Sequence, residues 1–257
     1  MATDMGKIRP KPRTLITANA QEFSTHRELC LQRFREAGVQ FRWANIEDVT
    51  AIDALVASRY PPEIAGEVSP YESARVLDYG KIGLLVDDDG NVIACQYVVS
   101  YLREEGERIA YGMRLMVRAD YESNGIGETL FRYLCLDARD RAFDAHESLI
   151  SIDSHRVHDL VLNKMGAQYT SLVEADLVGV RNHLNCTLPL KRDFLFDAVT
   201  ERSLKDFVAA DTSGAIVLME AWRVDELADL VNRQGFNVIA FARPGWLARE
   251  PMFVLAP

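Results

Sequence analysis

The chain predicts an α/β fold: a mixed, largely antiparallel sheet flanked by helices, with a smaller C-terminal α/β extension. Three stretches carry that prediction. Residues 82–117 hold three apolar runs separated by two polar turns, the pattern of a meander. Residues 115–130 pass from an apolar strand through a turn with two glycines into an amphipathic helix. From residue 145 onward, strand-like and helix-like segments alternate, as layered α/β chains do.

The elements follow in order. Residues 1 to about 22, with Pro10 and Pro12, read as a loosely held arm. Ser24 is placed as the N-cap of a helix carrying Leu29, Leu31 and Phe34 and ending at Gly38. Val39 to Ala44 alternates as a strand, and Asn45 caps a helix bearing Val49, Ile52, Leu55 and Val56. Pro61 and Pro62 stop that helix, since proline lacks the N–H that an intrahelical bond needs. A short helix is expected from Ser69 to Leu77. Ile82–Val86 and Val92–Tyr101 flank the turn Asp87-Asp88-Asp89-Gly90-Asn91 as a hairpin, and Ile109–Val117 returns as the third strand. The next helix is expected from Gly127 to about Ala145, a strand at Ser148–Ile152, and a helix capped by Ser154 from His155 to Met165 and ended by Gly166. Ala167–Leu177 and Leu184–Leu190 read as two more strands. Beyond residue 192 lie a partly helical stretch to Thr212, strands near 215–219, 236–241 and 252–255, and a helix at Val224–Asn232. No internal repeat of fixed period is read. The expected division is 1–37 as N-terminal arm and helix, 38–192 as the main domain, and 193–257 as the extension.

Composition narrows the function. With 257 residues, 48% of them hydrophobic, the chain has ample material for a core. Its net charge of -9 argues against nonspecific nucleic-acid binding, which rests on cations neutralising phosphates. Cys30, Cys95, Cys135 and Cys186 are scattered without a C-x-x-C pair, so neither a zinc site nor a disulfide framework is indicated. No run of ~18 apolar residues is present, and the first residues form no signal-like segment. A cytoplasmic protein is expected, with neither nucleic acid nor membrane as partner.

The glycine turn is the main candidate site. A strand feeding a helix leaves N–H groups unpaired at the helix start, with the dipole behind them, and glycine lets a phosphate approach the backbone closely. Gly125-Ile126-Gly127 lacks the third glycine of a dinucleotide fingerprint, because residue 130 is Leu. Asp153-Ser154-His155-Arg156-Val157-His158-Asp159 is a second candidate; its near-consecutive Ser, His and Asp cannot converge as a hydrolase triad. A metal on His155, His158 and Asp159 would lack a further clear ligand. The aspartates at 87–89 lack the spacing of a calcium loop. Tyr97, Tyr101 and Tyr111 either line a cleft or pack in the sheet. Arg114 is a cation inside an apolar strand, suited to a carboxylate-bearing substrate or to a local acid.

Glu122-Ser123-Asn124-Gly125-Ile126-Gly127 resembles the Gln/Arg-x-x-Gly-x-Gly/Ala turn of the GNAT N-acyltransferase superfamily. Leu115-Met116-Val117 resembles the strand before it, and Lys164-Met165-Gly166 the end of the family's next helix. The order of elements over about residues 38–192 is that of the same fold. The resemblance implies a GNAT-type domain binding acetyl-CoA or another acyl-CoA through Leu115, Met116, Val117, Glu122, Ser123, Asn124, Gly125, Ile126, Gly127 and Glu128. It implies direct transfer of an acyl group to an amine, with the thioester carbonyl polarised by a backbone N–H near Met116 or Val117. Two positions depart from the family pattern. Glu122 stands where Gln or Arg is usual and needs a cation such as Arg118, and Leu162 stands where many members carry an acidic tyrosine. His155 and Ser154 are therefore the catalytic candidates for proton handling. The acceptor implied is a small-molecule amine or a peptide, and a homodimer is left open. Two alternatives also stay open: a non-catalytic acyl-CoA sensor or interaction module, and a long-chain synthase of the acyl-homoserine lactone or N-acyl amino acid kind that takes its acyl chain from a carrier protein.

Overall fold

The computed structural model describes residues 21–60, 71–177, 180–190 and 199–257. Residues 1–20 of the expected arm, the stop at Pro61–Pro62, the helix start at Ser69 and residues 193–198 lie outside them. Among the described residues, ten strands form one sheet in the order β1-β2-β3-β4-β5-β7-β6-β9-β10-β8. They are β1 (Val39–Trp43), β2 (Gly80–Asp87), β3 (Val92–Leu102), β4 (Arg108–Val117), β5 (Ala145–Ser151), β6 (Gln168–Leu177), β7 (Val180–Pro189), β8 (Val217–Glu220), β9 (Asn237–Ala242) and β10 (Met252–Ala256). β1 to β4 form the antiparallel meander, and β4 and β5 are parallel. The order is thus the mixed, largely antiparallel sheet that the sequence predicts.

Alternation along the strands supplies two apolar faces. On one, α1 (Gln21–Glu36) and α4 (Ile126–Asp140) bring Cys30, Phe34, Leu130 and Leu134 onto Leu85 and Ala94. On the other, α2 (Val49–Ser58) and α3 (Glu72–Tyr79) bring Ile52, Leu55 and Val76 onto Leu84, Cys95 and Tyr97. Asn45 closes the start of the short 3-10 turn before α2 as a capping box, its side chain accepting from Glu47 and its N–H reaching Asp48. α1 begins at Gln21, three residues before the expected cap at Ser24.

Helix α4 ends at Asp140, short of the expected Ala145, and β5 starts at Ala145 in place of Ser148. The reason is local. Ala142 takes the left-handed conformation at φ 59°, with its N–H on Arg139 O and the Phe143 N–H on Ala138 O. A C-terminal signal of that kind is usually written with glycine, and none stands here.

The C-terminal segment continues the sheet. α6 (Glu201–Ala209) packs Leu204 on Ala240 and Val254, and a single apolar core joins Leu160, Leu172 and Leu184 to Phe241 and Phe253 across residue 192. The helix α5 (His155–His158) widens into a π-turn at Asp159–Lys164, and α7 (Val224–Ala228) does the same at Asp229–Arg233. Contrary to the sequence reading, a repeat of fixed period is present. β5-α5-β6-β7 and β8-α7-β9-β10 have the same element order, the same strand order with the last strand in the middle, and an offset of 69 residues, as in Tyr169 against Val238. Similarity of side chains does not carry it: between 148–166 and 217–235 only Leu149/Leu218, Asn163/Asn232 and Gly166/Gly235 are identical.

Candidate functional site

The parallel strands β4 and β5 pair only through Ile109↔Ala145, Ala110↔His146 and Tyr111↔Glu147. Both strands then continue, β4 against β3 as far as Val117 and β5 against β7 as far as Ser151, so they diverge and leave a V-shaped opening. A bulge drives β4 outward. Cys95 faces Met116 while Tyr97 faces Met113, so Gln96 opposes two residues, and Arg114 within the bulge has φ 51°. The Arg114 guanidinium is held by both carboxylate oxygens of Glu72 at 3.2 Å and by the Tyr60 hydroxyl, so the local acid is its partner.

The foot of the opening is polar. Gly112 is the first β4 residue past the last β4–β5 pair, and a Cβ there would lie 2.6 Å from His146 Nε2 and 2.8 Å from Gln96 Nε2. Both side chains are buried, at 1% and 2% exposure. Gln96 Oε1 and both ring nitrogens of His146 have no hydrogen-bond partner, although buried polar atoms are nearly always paired. Burial pulls the His146 pKa down to about 4, leaving the ring neutral at pH 7. Further up, the Tyr111 hydroxyl has its pKa raised, chiefly by burial.

At the top of β4 the chain makes the glycine turn. Ser123 and Gly125 both have positive φ, 66° and 75°, a combination that curls successive N–H groups toward one side. The first helical bond is Thr129 N–H to Gly125 O, so the N–H groups of Ile126, Gly127 and Glu128 have no intrahelical acceptor. Gly125 needs its missing Cβ for its backbone conformation. Gly127 needs it for space, because a Cβ there would meet Val117 Cγ2 at 3.0 Å. Asn124 and Gly125 border a surface pocket of about 460 Å³ whose far wall includes Arg33 of α1. Glu122 is neutralised by Arg59 at the end of α2 and not by Arg118, which pairs with Asp120. Glu128 accepts from Lys164 at 2.5 Å and from Arg132 at 3.0 Å; burial raises its pKa, but these two cations outweigh that and hold it low.

The strand and turn residues named from the sequence, Leu115 to Val117 and Glu122 to Glu128, therefore flank one end of the opening. Ser154 and His155 follow β5 on its other side, and the His155 ring lies 5.5 Å from that of Phe241 on β9. His158 is engaged inside the core, Nδ1 with the Tyr169 hydroxyl at 2.5 Å and Nε2 with Ile152 O at 2.8 Å. Leu162 is fully enclosed in the core. Tyr97 is buried with its hydroxyl on Ser73, and the Tyr101 hydroxyl donates to Glu147. Sequence reasoning missed Gln96, His146 and Arg59. The signal for Gln96 was legible: it is the one polar side chain in the apolar run Val92–Val99.

No protein-family model matches the chain. No curated protein matches it either. Solved structures do match. A chain of the NatC complex bound to Gag peptide and CoA is 16% identical, covering 59% of this chain and 98% of that one at a TM-score of 0.51. Naa50 of Arabidopsis thaliana, in complex with a bisubstrate analogue, is 16% identical over 58% of this chain and 97% of its own, at 0.46. A GNAT family N-acetyltransferase from Escherichia coli in complex with CoA is 18% identical over 46% and 66%, at 0.39. At such identities the likeness is one of fold, and the first of these bears on it. With its meander, bulged β4, opening at β5 and glycine turn, the chain has the fold of the GNAT N-acetyltransferases.

Proposed function

We propose that this protein is an acyl-CoA-dependent N-acyltransferase, moving an acetyl or other acyl group to the amine of a small molecule or peptide. The observation that carries the reading is the coincidence of two features: β4 and β5 part while both continue, and the turn at the end of β4 aims unpaired N–H groups at that same end. The unpaired buried atoms of Gln96 and His146 at the foot support it, since they want a polar occupant, water or ligand, within reach.

The turn residues Ser123 to Glu128 would hold the pyrophosphate, with the α4 dipole adding attraction. The freed backbone of Leu115, Met116 and Val117 would line the pantetheine arm. Acyl-coenzyme A would supply an activated thioester carbonyl when bound. The chain's own part is to orient an acceptor amine at the opening and take its proton. Ser154 and His155, after the end of β5, are the candidates for that task, although the His155 ring packs toward β9, and the Tyr111 hydroxyl beside the opening is a third. The enclosure of Leu162 favours one rival reading, an acyl-CoA-binding module without turnover.

Thermal unfolding with acetyl-CoA tests the reading. At ~100 times the dissociation constant, the ligand should add ~2.7 kcal/mol of stability, and Gly125→Trp should remove that gain. Absence of a gain with short- and long-chain acyl-CoA alike would defeat the proposal. Where binding is present, release of free thiol with a panel of amines separates enzyme from sensor, and His155→Ala, Ser154→Ala and Tyr111→Phe rank the three groups by loss of turnover.

A further inference from the structure

Residues 145–187 and 214–256 repeat one β-α-β-β unit down to single hydrogen bonds. The pairs Ser151↔His183, Ile150↔Leu184 and Leu149↔Asn185 recur as Glu220↔Met252, Met219↔Phe253 and Leu218↔Val254. The irregularity that passes over Thr170 in β6 recurs at Ile239 in β9. The bond from Ala167 N to Val161 O recurs as Phe236 N to Leu230 O, and Gly166 and Gly235 follow the two helices at φ 68° and 77°.

The two units meet about a local two-fold axis. β6 and β9 pair at Tyr169 and Val238, which are equivalent positions in the two units. On either side, where the strands diverge, an asparagine completes the ladder, Asn163 buried and Asn232 at the surface. Asn163 donates to Phe241 O at 2.6 Å and accepts from Phe241 N at 3.0 Å. Asn232, its equivalent, donates to Leu172 O at 2.9 Å and accepts from Leu172 N at 2.8 Å, and Leu172 is the equivalent of Phe241. Each unit therefore offers the other the same patch, which defines an isologous interface.

We propose that the β6 edge is a self-complementary docking surface for the β5-α5-β6-β7 unit, filled within the chain by residues 214–256. It accepts the same unit of a second chain once that copy is displaced. In such a dimer Asn163 of each chain would clasp Leu172 of the other. Asn232 and Val238 serve only the internal pairing, whereas Asn163 serves both, and this difference makes the proposal testable in the full chain.

In Asn232→Asp/Val238→Asp, a carboxylate faces Leu172 O and another faces the buried Tyr169, which expels the second unit from the edge. Sedimentation velocity should then show a concentration-dependent dimer, and adding Asn163→Asp should abolish it. The four cysteines all lie in the first 186 residues and are buried, so their protection from a thiol reagent reports that this part is folded. A monomer with protected thiols, or a dimer indifferent to Asn163→Asp, overturns the proposal. If the thiols react, Asn232→Asp alone decides, because it keeps every apolar contact. Losing one clasp should raise exchange between two differently tagged preparations about tenfold over the parent; no rise overturns the proposal.

Discussion

His146 and His158 are both buried, and burial holds the pKa of each down to about 4, against about 6.5 when unfolded. Between those values the unfolded chain binds protons that the folded chain does not. Their contribution to stability is therefore complete above about pH 6.5 and is lost as pH falls toward 4, at up to about 1.4 kcal/mol per pH unit for each histidine. Urea unfolding from pH 7 to pH 4.5 should show this decline, and His146→Gln/His158→Gln should flatten it. At this scale the sequence was partly legible. The turn glycines announced themselves because each must lack a Cβ. Arg59, which neutralises Glu122, did not, because its partner lies 63 positions along the chain. His146 fell between the helix expected to about Ala145 and the strand expected from Ser148, so nothing marked it until β5 placed it beside Gly112 beneath the opening.

Elements were legible where periodicity and caps agreed, as in the hairpin around Gly90 and the capping box at Asn45. The end of α4 was not, since Ala142 occupies the left-handed position that glycine normally marks. An L-residue there costs about 1–2 kcal/mol, so Ala142→Gly should raise stability by roughly 0.5–1 kcal/mol in a denaturant melt. An unchanged or lowered midpoint would show that the strain is not there. The repeated unit escaped notice for a different reason. Its two copies agree in backbone geometry and in Asn-basic-x-Gly, Asn163 to Gly166 and Asn232 to Gly235, while their remaining side chains answer to different surroundings. α6 covers aliphatic Ala240 and Val254, whereas their equivalents, Ser171 and Asn185, are polar.

For the molecule as a whole, the pairing of β2, β3 and β4 could be read from the sequence because two short turns fix neighbours in a meander, while the place of β7 between β5 and β6 was not legible and the joining of β9 to β6 depends on one ladder pair and two asparagines. Among the described residues, the second unit has β8 in the place of β5 but no counterpart of β4 or of the glycine turn beside it, since β8 is the last strand of the sheet. Calorimetric titration with coenzyme A should therefore give one equivalent per chain, and two equivalents would contradict that asymmetry. The clasp from Asn163 to Phe241 also has a consequence for the nascent chain. Its partner is encoded 78 residues later, a delay of ~4–16 s at ~5–20 residues per second. Throughout that interval β6 presents a bare edge of the kind that recruits neighbouring strands. On a polysome, with sister chains held close together, each newly made β6 can find another chain's copy before its own has left the ribosome.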